Sequence, residues 1–123
     1  MSRMPSSEPT LFEYQADDRG ILIKITEPNF SGEVTAEIFK IEVDRLVKKH
    51  DASLIVIDLS NVRMISSVVV GAFVKLHNSL TAAGGQLRQC CVPPVVESVY
   101  RTANLFDTIF EVYETPEQAL GPA

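Results

Sequence analysis

The sequence predicts an α/β domain whose mixed, mostly parallel sheet begins with an antiparallel hairpin and is covered by about four helices. Three observations carry that expectation. After Gly32, β-rich runs alternate with helical patterns, as they do where right-handed crossovers build a parallel sheet. The unbroken apolar run Leu54-Ile55-Val56-Ile57 is what a strand covered on both faces looks like. Before that run, two β-rich segments are separated only by the turn residues Asp17-Asp18-Arg19-Gly20, which predicts a hairpin.

With 123 residues the chain has room for one hydrophobic core, and folding at this size buries roughly two-thirds of its surface without a disulfide or metal. Residues 1–10, rich in Pro, Ser and Met, read as a flexible N-terminal arm, and 11–123 as a single domain.

Along the chain, 11–14 and 21–25 form the hairpin strands, and 28–32 is a loop. Ala36, Phe39, Val43, Leu46 and Val47 fall at helical spacing against a face of mixed charge, the pattern of an amphipathic helix with a solvated side. The central strand ends in Asp58. Residues 62–65 make a short crossover, and a long helix follows over 67–83 with Val69, Phe73, Leu76 and Leu80 on one face.

Gly84-Gly85 ends that helix, because glycine adopts the left-handed cap cheaply. A strand over 86–91 comes next. Pro93-Pro94 opens a helix to about residue 103, since proline suits a first turn that has no amide to satisfy. A strand over 108–112 and a short helix from Thr115-Pro116-Glu117 close the order.

Composition excludes several functions. A net charge of -5 and no basic run longer than Lys48-Lys49 leave no footprint for a nucleic-acid backbone. The first ten residues lack the apolar core of a signal peptide, and no stretch approaches the roughly 20 apolar residues of a membrane span. A cytoplasmic protein is expected. The two cysteines, Cys90 and Cys91, are sequence neighbours and form no disulfide framework. On an extended strand their side chains point to opposite faces, one to the core and one outward.

Catalytic constellations are absent from the sequence. His50 and His77 are the two histidines, and neither sits in a metal-ligand or triad pattern; no Walker loop, dinucleotide fingerprint or nucleophile elbow occurs. His50 closes a helix beside Lys48 and Lys49, where a cation favours the helix dipole. No metal, no cofactor and no enzymatic activity is expected. A protein-binding module is the better reading, and a small enzyme using Ser67 as nucleophile is a remote alternative, because no base can be named for it.

The segment that stands out is Met64-Ile65-Ser66-Ser67-Val68-Val69-Val70-Gly71. Ser66 is placed as the N-cap of the long helix, its hydroxyl accepting from an amide one turn in, and Ser67 is then the first helical residue. Local chemistry alone is satisfied by a plain cap.

From Leu54 to Leu120 the chain resembles the STAS domains of bacterial anti-sigma factor antagonists. The resemblance rests on Asp58-Leu59-Ser60 closing a hydrophobic strand and on Ile65-Ser66-Ser67-Val68-Val69 at a helix start. Ala83-Gly84-Gly85, Pro93-Pro94, Leu105-Phe106 and the closing Thr115-Pro116-Glu117-Gln118-Ala119-Leu120 extend it. In that family the serine after an acidic residue is phosphorylated by an anti-sigma factor that is a serine kinase with a histidine-kinase-like ATPase fold. Position for position that serine is Ser67. The acidic residue is Ser66 here, which makes Ser66 an alternative acceptor, and the family's glycine two residues after the phosphoserine is Val69.

The resemblance implies an anti-sigma factor antagonist that binds the kinase when unphosphorylated and releases a sigma factor, with a serine phosphatase to reset it. Its partner surface would comprise Asp58, Ser60, Asn61, Ser66, Ser67, Val68, Lys75 and Asn78, on a monomer or weak dimer. The alternative within the same family is a scaffold or regulatory subunit of a stress-signalling or transporter assembly, in which the serine is only a cap.

Overall fold

A computed structural model of the protein describes residues 9–121. Residues 1–8 of the expected arm lie outside the described residues; Thr10, at its end, donates from both its amide and its hydroxyl to Glu42 Oε2.

Strands β1 (Phe12–Asp17) and β2 (Gly20–Ile25) form the predicted antiparallel hairpin. Its turn is held by the Asp17 carboxylate, which accepts from the Arg19 amide at 2.8 Å and pairs with the Arg19 guanidinium at 3.0 Å. The following elements are β3 (Asn29–Phe30), α1 (Glu33–His50), β4 (Leu54–Asp58), β5 (Met64–Ile65), α2 (Ser67–Ala82), β6 (Gln86–Cys90), α3 (Pro94–Thr102), β7 (Glu111–Tyr113) and α4 (Pro116–Leu120). The main sheet runs β1-β2-β4-β6-β7, parallel at every junction after the hairpin. β4 is central, and Ile55, Val56 and Ile57 are all fully buried, as their unbroken run required.

The alternation of side chains across β4 defines two layers. Ile55 and Ile57 belong to the larger core with Phe39 of α1, Phe73 of α2 and Tyr100 of α3. Val56 faces the other way and packs with Cys90 and Ala119 of α4. Aromatic rings knit the first layer: Phe39 meets Phe30 at 5.5 Å and Phe73 at 5.4 Å between centroids, and Phe110 meets Tyr100 at 4.9 Å. Such offset and edge contacts add about 0.5–1.5 kcal/mol each beyond area burial.

Three sequence expectations are corrected. Residues 28–32 are not simple loop, nor 62–65 a bare crossover: β3 and β5 pair in parallel as a second, two-stranded sheet, Asn29 opposite Met64 and Phe30 opposite Ile65. The last strand is β7 at Glu111–Tyr113 instead of 108–112, because Asn104 and Asp107 take left-handed conformations and the Phe110 amide turns back onto Leu105 O. Thr108 and Ile109 are therefore turn residues on the surface. On the long helix, Val70 joins Val69, Phe73 and Leu80 in the core, while Leu76 is only half-buried.

The helix boundaries follow their chemistry. Thr115 caps α4 by accepting from the Gln118 amide at 3.2 Å, and Lys48, Lys49 and His50 occupy the last turn of α1, where the dipole favours cations. After α2, Gly84 takes φ 83°. At Gly85 the Ser53 carbonyl approaches so closely that a Cβ has no space, which explains the glycine pair better than a cap alone.

Candidate functional site

The loop from Asp58 to α2 is built in three fixed steps. First, the Asp58 carboxylate accepts from the Ser60 amide at 2.9 Å, an Asx-type turn that bends the chain as it leaves β4. Leu59 is fully buried, its amide bonded to Cys90 O at 3.2 Å and its carbonyl to the Val62 amide at 3.0 Å. Ser60 and Asn61 are left exposed between these anchors. Second, Pro28 O accepts from both the Arg63 and Met64 amides at 2.7 and 3.0 Å, which seats β5 against β3.

Third, Ser66 takes an extended conformation (φ -99°, ψ 160°) and caps α2. Its hydroxyl accepts from the Val69 amide at 3.4 Å and also from the Gly32 amide at 3.2 Å. One oxygen therefore ties the starts of α1 and α2 together. Ser67 is the first residue of α2 and is exposed; among the described residues its side chain has no hydrogen-bond partner. Local capping logic placed both serines; the Gly32 contact spans 34 residues and had no sequence signal.

The first turn of α2 contains no acidic residue, so the partial positive end of its dipole is uncompensated by any side chain of that turn. Three exposed apolar residues are near it along the chain or through the Gly32 contact: Val68 in the first turn (42% exposed), Met64 two residues before the cap (57%) and Val34 two residues after Gly32 (73%).

The remaining residues of the expected surface divide. Lys75 and Asn78 are exposed on α2. Asn78 follows Ser67 by eleven positions, three turns on at nearly the same azimuth. Lys75 and Val68 instead border a cleft of about 460 Å³ between α1 and α2, with Glu37, Lys40 and Asp44 opposite. Asp58 is buried, at 7% exposure, and acts through the turn it holds. Glu37, Lys40 and Asp44 on the α1 wall of the cleft are exposed, as their mixed charge predicts; nothing in that charge distinguishes a cleft wall from an open surface.

Neither histidine approaches Ser67: His50 ends α1, stacked edge-on against Tyr14, and His77 is mid-helix.

The sheet of this order carries a serine-capped helix that starts beside the turn after the central strand, with Ser67 exposed at its head. The STAS domain family model matches residues 15–119, and the chain belongs to that family. The anti-sigma F factor antagonist of Paenibacillus polymyxa is 26% identical over 105 residues, covering 83% of this chain and 86% of that protein. A candidate anti-sigma factor antagonist of Thermotoga maritima shares the fold at TM-score 0.73 and 27% identity, covering 89% of this chain and 91% of that one. The anti-sigma factor antagonist SpoIIAA, in its unphosphorylated form, aligns at TM-score 0.70 and 15% identity, covering 87% and 90% of the two chains; this likeness is one of fold. Among the described residues no helix is long and apolar enough to cross a membrane.

Proposed function

We propose that this protein is a cytoplasmic anti-sigma factor antagonist switched by phosphorylation of Ser67. The observation that carries the reading is the division of labour between the two serines. Ser66 does the capping, so the Ser67 hydroxyl is exposed and unengaged among the described residues. A related antagonist, SpoIIAA, is known in phosphorylated and unphosphorylated forms. The partner is an anti-sigma factor that is also a serine kinase of histidine-kinase-like ATPase fold, opposed by a serine phosphatase, and the antagonist itself is a monomer or weak dimer.

Both departures from the family pattern are absorbed by the fold. Serine caps a helix about as well as aspartate, so Ser66 preserves the geometry of the turn. Val69, in place of the usual glycine, is fully buried and leaves the partner surface unchanged. The unphosphorylated protein presents Ser60, Asn61, Ser66, Ser67 and Val68, with Lys75 and Asn78 along α2, and Asp58 fixes the turn beneath them.

Phosphate on Ser67 adds nearly two negative charges at a helix start, which the dipole favours by about 0.3–1 kcal/mol, so the fold tolerates it. The effect falls on the partner. At an effective dielectric of about 20, like unit charges some 6 Å apart repel by roughly 3 kcal/mol, on the order of a hundredfold in affinity.

The test combines capture from the host cell with variants. Mass spectrometry of the co-purified proteins and of the peptide containing Ser66 and Ser67 should find a kinase-fold anti-sigma factor and phosphate on Ser67. Ser67→Asp should weaken that complex while melting near wild type. Equal binding by wild type and Ser67→Asp would count against the mechanism.

A further inference from the structure

The two cysteines do not point to opposite faces as an extended strand would direct them. β6 ends at Cys90, and Cys91 takes a left-handed conformation with φ 58°, which breaks the alternation. The side chain of Cys91 turns back and packs with Cys90 on the α4 layer. Asp58 is the direct register partner of Cys90 across two parallel strands, so its carboxylate leaves the sheet on the same side. One carboxylate oxygen and both sulfurs lie within 4.8 Å of one another.

We propose that Asp58, Cys90 and Cys91 form a binding site for a thiophilic divalent cation, Zn(II). Two sulfurs and a carboxylate are a donor set that suits zinc. The site sits at the carboxyl ends of the adjacent parallel strands β4 and β6. Tetrahedral zinc with Zn–S of about 2.3 Å holds its donors roughly 3.5–3.8 Å apart, so the cluster needs to close by about 1 Å.

The surroundings fit that role. One Asp58 oxygen already accepts from the Ser60 amide, a contact that orients the carboxylate and leaves its other oxygen for an ion. Cys90 is fully buried and Cys91 half-buried, so the pair is open from one side. On that side the Cys91 thiol donates to Glu114 O at 3.5 Å. A fourth position is left for water. Binding is balanced by release of two thiol protons to solvent for each ion taken up. The site stands independently of the phosphorylation reading, because none of its donors depends on Ser67.

The experiment uses the reduced full chain titrated with Co(II), then with Zn(II) in competition against a chromophoric chelator. The expected result is one ion per chain, tetrahedral ligand-field bands, a thiolate-to-metal charge-transfer band, and two protons released. Cys91→Ser, at a half-exposed position, should leave metal-free melting unchanged, remove about half the charge-transfer intensity and weaken binding by about tenfold or more. Asp58→Asn keeps an acceptor for the Ser60 amide and should also weaken binding. Absence of charge transfer in the wild type overturns the proposal. So does an unchanged spectrum and affinity in Cys91→Ser; adventitious binding at exposed His50 would give ion uptake with no charge-transfer band.

Discussion

Replacing Ser66 by alanine probes the point on which the whole site turns, since its single oxygen accepts from Val69 and from Gly32. Loss of an N-cap costs about 0.5–2 kcal/mol, and the 3.4 Å length of the Val69 bond places this cap in the lower half of that range. The Gly32 amide is on an exposed residue, so water replaces its partner and the further loss is about 0.5 kcal/mol. The sum is roughly 1–2 kcal/mol, and at roughly 4 °C per kcal/mol for a domain of this size the Tm should fall by roughly 4–8 °C. Ser66→Asp keeps the acceptor and adds an anion to a first turn that has no acidic residue, favourable by about 0.3–1 kcal/mol. It should therefore melt at or above wild type. Differential scanning calorimetry with urea denaturation at matched pH measures both. An alanine variant indistinguishable from wild type, or an aspartate variant as damaged as the alanine one, would refute the capping account.

Other predictions rest on single contacts. Gly85→Ala drives a Cβ into the Ser53 carbonyl and should cost about 1–3 kcal/mol, read as a lower urea midpoint at unchanged slope. Tyr100→Phe removes the 2.5 Å bond to Gln89 Oε1 and leaves a buried amide whose Nε2 has no partner among the described residues, a loss of about 1–3 kcal/mol. Burial also holds the Tyr100 phenol protonated, raising its pKa above the ordinary 10.0 despite the opposing Gln89 bond. The unfolded chain then ionises first, so this part of the stability is intact below pH 10.0 and is lost as pH rises beyond it. Denaturation series on either side of that value should show the alkaline decline in wild type and a shallower one in Tyr100→Phe.

The legible features were those governed by neighbours in sequence. The covered central strand, the proline and serine helix starts, and the stop at Gly84 after α2 each follow from a residue's own backbone preference or from a contact within one turn. The same holds for Ser67, whose exposure follows once Ser66 is the cap. The short β3–β5 ladder was invisible because two residues per strand carry no periodicity and Pro28 and Gly32 read as loop. The last strand was placed too early because Thr108, Ile109 and Phe110 have strand-like side chains, while the left-handed Asn104 and Asp107 that bend the backbone before it are not glycines.

Sequence alone thus determined the order of the five main-sheet strands and the four helices, the burial of β4 on both faces, and the pair of serines at the head of the long helix. All of these are decided over a few residues by sterics, capping and hydrophobic period. Tertiary structure alone decided that β4 lies between β2 and β6, that Ser66 also holds the start of α1, and that Asp58 meets both cysteines. Each of those depends on strands or turns tens of residues apart coming into register, which only the packed sheet brings about.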